Sequence, residues 1–286
     1  MKVLVTGAGG QLGTDVLKRL KEEKIECLGI DKNDFNIIDQ YRTNEFISRY
    51  KPDAVVHCAG YTAVDRAEEE RELCYEVNVL GTRNVASACK EIDAKLLYIS
   101  TDYVFDGRGS EPYETNRVPN PINYYGITKY QGEIEIENMM DKFFILRISW
   151  LFGMNGDNFV KKIIRLSEEK DVINIVSDQF GSPTYTYDLA KLISKIILSD
   201  KYGIYHASNE GFCDWFDIGV EIIKLIGKSV KVNPITSERY LTKAKRPKNS
   251  RLSKTSLDKS GFDRLPEWKD ALRRYLVELG AIGSSL

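Results

Sequence analysis

The chain has 286 residues, of which 42% are hydrophobic and 29% charged, and a formal net charge of -1; these values fit a soluble enzyme with a large core. Near-neutrality removes any general electrostatic case for nucleic acid or an anionic membrane as partner, and no apolar run approaches the roughly 20 residues that a bilayer crossing needs. Cys27, Cys58, Cys74, Cys89 and Cys213 form no C-x-x-C pair, and the first residues lead into glycines without a signal-peptide pattern, so a cytoplasmic protein with reduced thiols is expected.

Lys2-Val3-Leu4-Val5-Thr6 reads as a buried strand. Gly7-Ala8-Gly9-Gly10-Gln11-Leu12-Gly13 follows at once, and in residues 14–23 Val16, Leu17 and Leu20 recur at helical spacing. Strand, glycine loop and helix in this order suit a phosphate: the glycines let a pyrophosphate approach the backbone, and the helix N-terminus supplies N–H groups and a favourable dipole. The spacing Gly7-x-x-Gly10-x-x-Gly13 is one residue wider at its start than the commonest dinucleotide fingerprint, and a glycine turn without ligand is the alternative. Residues 26–31 read as a second strand ending in Asp31. An acid there can hold the ribose 2′-hydroxyl of NAD, whereas the adjacent Lys32 can accept a 2′-phosphate; a plain polar turn competes with both.

Residues 53–60 form a third strand running into Ala59 and Gly60, whose small side chains would let a nucleotide lie close to the backbone. His57 lies inside that strand and reads as a satisfied core histidine rather than a catalytic one. A long helix over about 67–91 leads to a fourth strand, 94–100, whose end delivers Ser100, Thr101 and Asp102. A helix over 123–140 then places Tyr125 and Lys129 one turn apart, with their Cβ atoms roughly 6 Å from each other. A cation there is expected to lower the phenol from its usual pKa of about 10 and make it able to exchange a proton. With 16 tyrosines in a lysine-rich chain, chance alone produces such pairs. The second match, Tyr187 with Lys191, lies in what reads as an amphipathic surface helix with no strand end before it.

A fifth strand over 142–148 ends in Ser149-Trp150, so several strand ends converge on one edge, and the strand–helix alternation predicts a parallel sheet with right-handed crossovers. Beyond Trp150 helices are expected over 158–167, 188–198, 214–226 and 268–279, and a strand over 203–206. Lys243, Lys245, Arg246, Lys248 and Arg251 form a basic stretch, which reads as a solvated face or, if it overhangs a nucleotide site, as a holder of a substrate diphosphate. The expected organisation is a dinucleotide-binding domain over 1–150, rejoined by 181–209, and a substrate-binding lobe from 151–180 and 210–286.

Four longer stretches carry a resemblance: Cys58-Ala59-Gly60-Tyr61-Thr62-Ala63-Val64-Asp65-Arg66-Ala67-Glu68, Ile99-Ser100-Thr101-Asp102-Tyr103-Val104-Phe105-Asp106-Gly107, Ile145-Leu146-Arg147-Ile148-Ser149-Trp150-Leu151-Phe152-Gly153 and Ser177-Asp178-Gln179-Phe180-Gly181-Ser182-Pro183-Thr184-Tyr185. Together with the glycine loop and the Tyr125/Lys129 pair, they resemble the dTDP-4-dehydrorhamnose reductases among the extended short-chain dehydrogenase/reductases. The likeness runs from the first strand to Arg246-Pro247-Lys248-Asn249-Ser250-Arg251-Leu252. It implies an α/β fold, a Rossmann-type doubly wound parallel sheet with a smaller mixed α/β substrate-binding lobe. It implies NADPH or NADH held by Gly7, Gly10, Gln11, Leu12, Gly13, Asp31, Asn36, Ile37, Ala59, Gly60, Tyr61 and Lys129. The sugar nucleotide would meet Val64, Asp65, Thr101, Asp102, Tyr103, Tyr125, Trp150 and Arg246. By the same resemblance Tyr125 protonates the sugar oxygen, Thr101 hydrogen-bonds it, and Lys129 holds the ribose while depressing the phenol pKa.

Three departures bear on that reading. Related sugar-nucleotide dehydratases carry an Asp-Glu pair after the threonine, whereas Asp102 is followed by Tyr103, which favours simple reduction. Some family members hold a metal between subunits through acids; Asp15 keeps one such position but Tyr187 stands at the other, so no metal is expected, and the partner state is a monomer or homodimer. The Asp-x-x-Asp common near the adenine reads Asn36-Ile37-Ile38-Asp39. The alternatives are a 4-ketoreductase or epimerase acting on another nucleotide sugar, and a cofactor-binding regulatory subunit of the methionine adenosyltransferase type.

Overall fold

The computed structural model describes residues 1–283. Its centre is a six-stranded sheet in the order Gly203–His206, Phe143–Ile148, Lys95–Thr101, Ala54–His57, Lys2–Thr6, Glu26–Ile30, every neighbouring pair parallel. The first half alternates β1 (Lys2–Thr6), α1 (Gln11–Glu22), β2 (Glu26–Ile30), α2 (Gln40–Tyr50), β3 (Ala54–His57), α3 (Arg71–Tyr75), α4 (Thr82–Glu91), β4 (Lys95–Thr101), α5 (Tyr124–Met139) and β5 (Phe143–Ile148). Val3, Leu4, Val5, Val55, Val56, Leu96 and Leu97 are fully buried, as strands covered on both faces require. One face packs Val3, Val5, Val56 and Leu97 against Val16 and Leu20 of α1 and against α7 (Thr186–Ile197). The other packs Leu4, Val55, Leu96 and Ile145 against Ile47 of α2, Val85 of α4 and Ile136 of α5. This is the parallel sheet that the strand–helix alternation predicts, in the doubly wound, Rossmann-type form that the resemblance implies.

After β5 the chain builds smaller units. These are β6 (Leu151–Phe152), α6 (Phe159–Glu169), β7 (Val172–Val176), β8 (Phe180–Gly181), β9 (Thr184–Tyr185) and, past α7, β10 (Gly203–His206), β11 (Cys213–Asp214), α8 (Trp215–Leu225), β12 (Lys231–Ile235), α9 (Thr255–Lys259) and α10 (Trp268–Glu278). β10 returns to the main sheet beside β5. The others pair in twos, β6 with β9, β7 with β12 and β8 with β11, around a separate core of Phe152, Ile163, Ile175, Ile222, Leu272 and Tyr275.

Two local expectations are corrected, and one helix is added. The long helix expected over 67–91 starts later: a separate 3-10 turn at Arg66–Glu68 precedes it, and from Arg71 to Glu91 it runs on without a gap, as α3, a π-helical stretch at Glu76–Gly81 and α4. Asn78 lies in the π-helical stretch, where its amide is turned inward to bond the Tyr61 backbone and Thr128; such stretches are frequent at functional sites. The helix with Tyr187 and Lys191 is no simple surface helix. Leu189, Ile193, Ile196 and Ile197 of α7 are buried in the main core, and the Lys191 ammonium rests over the Tyr187 ring at 4.1 Å. Finally, α2 has no counterpart in the sequence reading, because few of its residues are apolar and only Thr43 and Ile47 are buried.

Helix α5 lies unusually close to its neighbours. A Cβ at Gly126 would stand 2.2 Å from the Tyr103 carbonyl oxygen, which belongs to the 3-10 turn after β4. Gly126→Ala is therefore expected to overpack this contact and cost about 1–3 kcal/mol, read as a lower urea midpoint with an unchanged slope.

Candidate functional site

The carboxyl ends of β1, β3, β4 and β5 open into a cleft of about 1100 Å³. On one side lies the glycine loop. Helix α1 begins at Gln11, earlier than the periodicity of its apolar residues shows, and its N-terminus carries no side-chain cap, so the N–H groups of its first turn face the cleft unclaimed. Gly7 has a φ of +67°, and a Cβ at Gly13 would stand 2.2 Å from the Gly7 carbonyl oxygen. A cradle of free N–H donors that no Cβ fills suits an anionic diphosphate. From the smaller lobe, the Asn155 amide donates to the Gly9 carbonyl and to Thr14 Oγ1, both at 2.9 Å, fastening the loop before α6 onto the cradle. Asp31, just past the end of β2, accepts from the Asn33 N–H at 2.8 Å, and Asn36 and Ile37 line the same end of the cleft.

The opposite wall is α5 and the end of β4. Asn123 caps α5 through the Gly126 N–H. Tyr125 and Lys129 both line the cleft, as do Thr101, Asp102 and Tyr103. The Tyr125 ring meets Tyr103 edge to face at 5.8 Å. Thr101 accepts from the Tyr103 N–H at 3.2 Å and donates to Asp102 Oδ1 at 3.1 Å. Burial raises the Asp102 carboxyl to about 7, against the lowering effect of the Ser250 and Thr101 hydroxyls.

Here the structure corrects one electrostatic expectation. Burial pushes the Tyr125 phenol up, well above its usual value, with the Thr101 hydroxyl acting the other way. The Lys129 ammonium does not offset this within the polypeptide itself: it donates to the Ile99 carbonyl at 2.7 Å and sits over the Tyr98 ring at 3.9 Å. Burial also lowers Lys129, to about 7. His57 is taken up structurally, its Nδ1 bonded to Thr6 Oγ1 at 2.7 Å and its Nε2 to Thr82 Oγ1 at 3.2 Å.

At the far end Trp150 adopts a left-handed conformation (φ 49°) and stacks on Trp215, the first residue of α8, with ring centroids 4.1 Å apart. Such a φ is uncommon for a bulky residue and persists only where the surroundings enforce it. Val64 lines the cleft; Asp65 does not, standing behind it to hold Arg246 at 2.8 Å. Of the basic stretch only Arg246 reaches the cleft. Lys243, Lys245 and Lys248 are exposed, Lys243 beside Glu69 and Lys248 beside Asp178, and Arg251 donates to the Ser110 carbonyl, so most of the stretch is a solvated face and not a cluster of diphosphate ligands. Gly7, Gly10, Gln11, Leu12, Gly13, Ala59, Gly60 and Tyr61 all reach the cleft. Trp215 and Asn78 were not singled out from the sequence. Nothing in its spacing marks Trp215, whereas a polar residue on the inward face of an expected helix was a signal for Asn78.

The whole constellation lies within one stretch of recognisable sequence: the RmlD substrate binding domain family matches residues 1–280. The chain belongs to that family. A dTDP-4-dehydrorhamnose reductase structure from Clostridium acetobutylicum superposes with a TM-score of 0.96 at 41% identity, covering 98% of this chain and 100% of that one. A second, from Bacillus anthracis in complex with NADP, gives a TM-score of 0.95 at 42% identity over 97% and 100% of the two chains. The spore coat polysaccharide biosynthesis protein SpsK of Bacillus subtilis is 40% identical over 277 residues, 97% of each chain. This RmlD-family cleft depends on Asn78 for its shape. Asn78→Ala, which leaves the Tyr61 N–H without its acceptor, is expected to destabilise the fold by about 1–3 kcal/mol, measured as a lower melting temperature in calorimetry.

Proposed function

We infer that the protein reduces the C4 ketone of dTDP-4-dehydro-β-L-rhamnose to dTDP-β-L-rhamnose, using NADPH or NADH. The observation that carries this reading is that Tyr125, Thr101 and Lys129 share one cleft with the uncapped N-terminus of α1. Family membership and the NADP complex of a relative at 42% identity support it. The reduced nicotinamide, when bound, supplies the hydride. Gly7, Gly10 and Gly13 with the first turn of α1 would hold the diphosphate, Asp31 the adenosine ribose, and Ala59 and Gly60 the path between.

As the carbonyl carbon is reduced, its oxygen gains negative charge and becomes a stronger base than a phenolate. Tyr125, raised by burial, keeps its proton at neutral pH and so is present as the acid; it gives that proton to the sugar oxygen. Thr101 hydrogen-bonds the same oxygen and fixes its position. Lys129, one turn along α5, holds the nicotinamide ribose and stabilises the phenolate left on Tyr125. Trp150, Trp215 and Tyr103 close the cleft with aromatic surface against the sugar, and Arg246, its guanidinium held by Asp65, faces the nucleotide diphosphate. Tyr103 in place of a glutamate beside Asp102 leaves no second acid–base group for an elimination, which argues against a dehydratase.

Oxidation of NADPH with dTDP-4-dehydro-L-rhamnose is the direct test, and equal or faster turnover of another 4-keto-6-deoxy sugar nucleotide would sink the assignment of this sugar. Tyr125→Phe is expected to lower kcat by about 10²–10⁴-fold while NADPH affinity stays within a few-fold; Tyr187→Phe serves as the control and should leave kcat unchanged. A further expectation concerns protons. Lys129, lowered to about 7 by burial, is largely neutral above that pH and must be charged to hold the ribose. NADPH binding at about pH 8 should then take up close to one proton, read by calorimetry in buffers of different ionisation enthalpy, and affinity should fall as pH rises through this range.

A further inference from the structure

Behind the cleft lies a charged cluster that none of the preceding roles uses. Glu133 is fully buried and Arg147 is 2% exposed, and the two meet in a fork: Arg147 Nε donates to Glu133 Oε1 at 2.9 Å and Nη2 to Oε2 at 2.6 Å. Ser100 Oγ donates to the same Oε1 at 2.5 Å, and Arg147 Nη1 donates to the Thr115 carbonyl at 3.2 Å. The Arg147 guanidinium also faces the Phe105 ring at 5.2 Å. Ser100 immediately precedes Thr101 on β4, Arg147 lies on β5, and Glu133 lies on α5. The cluster therefore ties together the elements that carry Thr101, Tyr125 and Lys129.

Burying such a pair is costly, and an apolar pair of similar volume would serve packing at least as well. What an apolar pair could not supply is a carboxylate fixed on the same helix as Lys129, with its countercharge carried by β5. Tyr125, Lys129 and Glu133 are spaced i, i+4 and i+8 on α5, so the Lys129 and Glu133 side chains leave the helix one turn apart on the same face. The titratable groups acting on or acted on by Lys129 are Glu133 on its own helix, Cys58 after β3, Cys74 in α3 and His57 on β3, with the Tyr98 ring beneath it from β4. Burial holds Cys58 at about 12 and His57 at about 3, and it raises Cys74 and Tyr98. All four are neutral at neutral pH. Glu133, paired with a guanidinium that cannot lose its proton, is the one of these groups that carries charge, and it is the foremost influence opposing the burial of Lys129.

We propose that Glu133, locked in place by Arg147 and Ser100, is a positioning residue that keeps the Lys129 ammonium charged inside the cleft. The proposal rests on the reading of Lys129 as the ribose-holding cation. Its test is NADPH affinity and proton uptake between about pH 6 and pH 9, by calorimetry on the full chain, for wild type, Glu133→Gln, Glu133→Gln/Arg147→Met and Lys129→Met. The double variant removes both buried charges and so keeps the fold where the single one leaves Arg147 unpaired.

In the double variant the pH at which NADPH affinity declines should move down by about one unit, so that affinity near pH 8 drops about tenfold while affinity near pH 6 stays within a few-fold of wild type. Proton uptake at pH 7 should rise in parallel. Glu133→Asp, which keeps the charge, should retain the wild-type midpoint. A folded Glu133→Gln or double variant with the wild-type midpoint overturns the role of Glu133. Lys129→Met separates the two readings: it should flatten the pH dependence, and a dependence that survives in it would overturn the assignment of Lys129 itself, and this proposal with it.

Discussion

Helix α5 meets its neighbours closely at two glycines, Gly126 and Gly132, and the geometry of the cleft depends on that approach. Gly126 lies against the Tyr103 carbonyl, and a Cβ at Gly132 would stand 2.7 Å from both the Asn78 carbonyl and the Tyr98 hydroxyl. With no side chain as spacer, one face of the helix is carried down to the level of the β4 end, where Tyr125 can meet Tyr103 and where the Lys129 ammonium reaches the Ile99 carbonyl. Asn78 then links α5 to the loop after β3, because its amide bonds both Thr128 and the Tyr61 backbone. These glycine contacts and the buried Asn78 amide thus help to set the two walls of the cleft relative to each other, in an interior packed to crystal-like density.

Most of the main sheet was legible from the sequence. Strands such as β1 and β4 are short, apolar and buried on both faces, so their pattern survives without tertiary knowledge. The glycine loop was legible because its meaning is local: strand, glycines and helix are contiguous. What escaped had non-local causes. Helix α2 shows few apolar residues because its inward face is narrow, and β6, β8, β9 and β11 are two-residue strands that no periodicity can reveal. The inward turn of Asn78 in the π-helical stretch before α4 has partners 17 and 50 residues away.

For the candidate site the same division holds. The residue types at the strand ends could be read in order along the chain, and the structure brings nearly all of them to one cleft. Their charge states could not. Neighbouring cations at helical spacing suggest a lowered phenol, but desolvation outweighs that neighbour for Tyr125, and the lysine is turned toward a carbonyl. Sequence spacing says which groups are near; how much water each has lost depends on the fold. The basic stretch illustrates the point from the other side, since Lys243, Arg246 and Lys248 meet Glu69, Asp65 and Asp178, which lie far away in the sequence.

The stacked pair at the cleft mouth has an optical consequence. The chain contains three tryptophans, and two of them, Trp150 and Trp215, face each other where the cleft meets the smaller lobe. The intrinsic emission of the protein is therefore weighted toward this one place. Any ligand that parts the two indoles, or any reduced nicotinamide near enough to accept their excitation, writes its arrival into the natural fluorescence of the chain, with no label added.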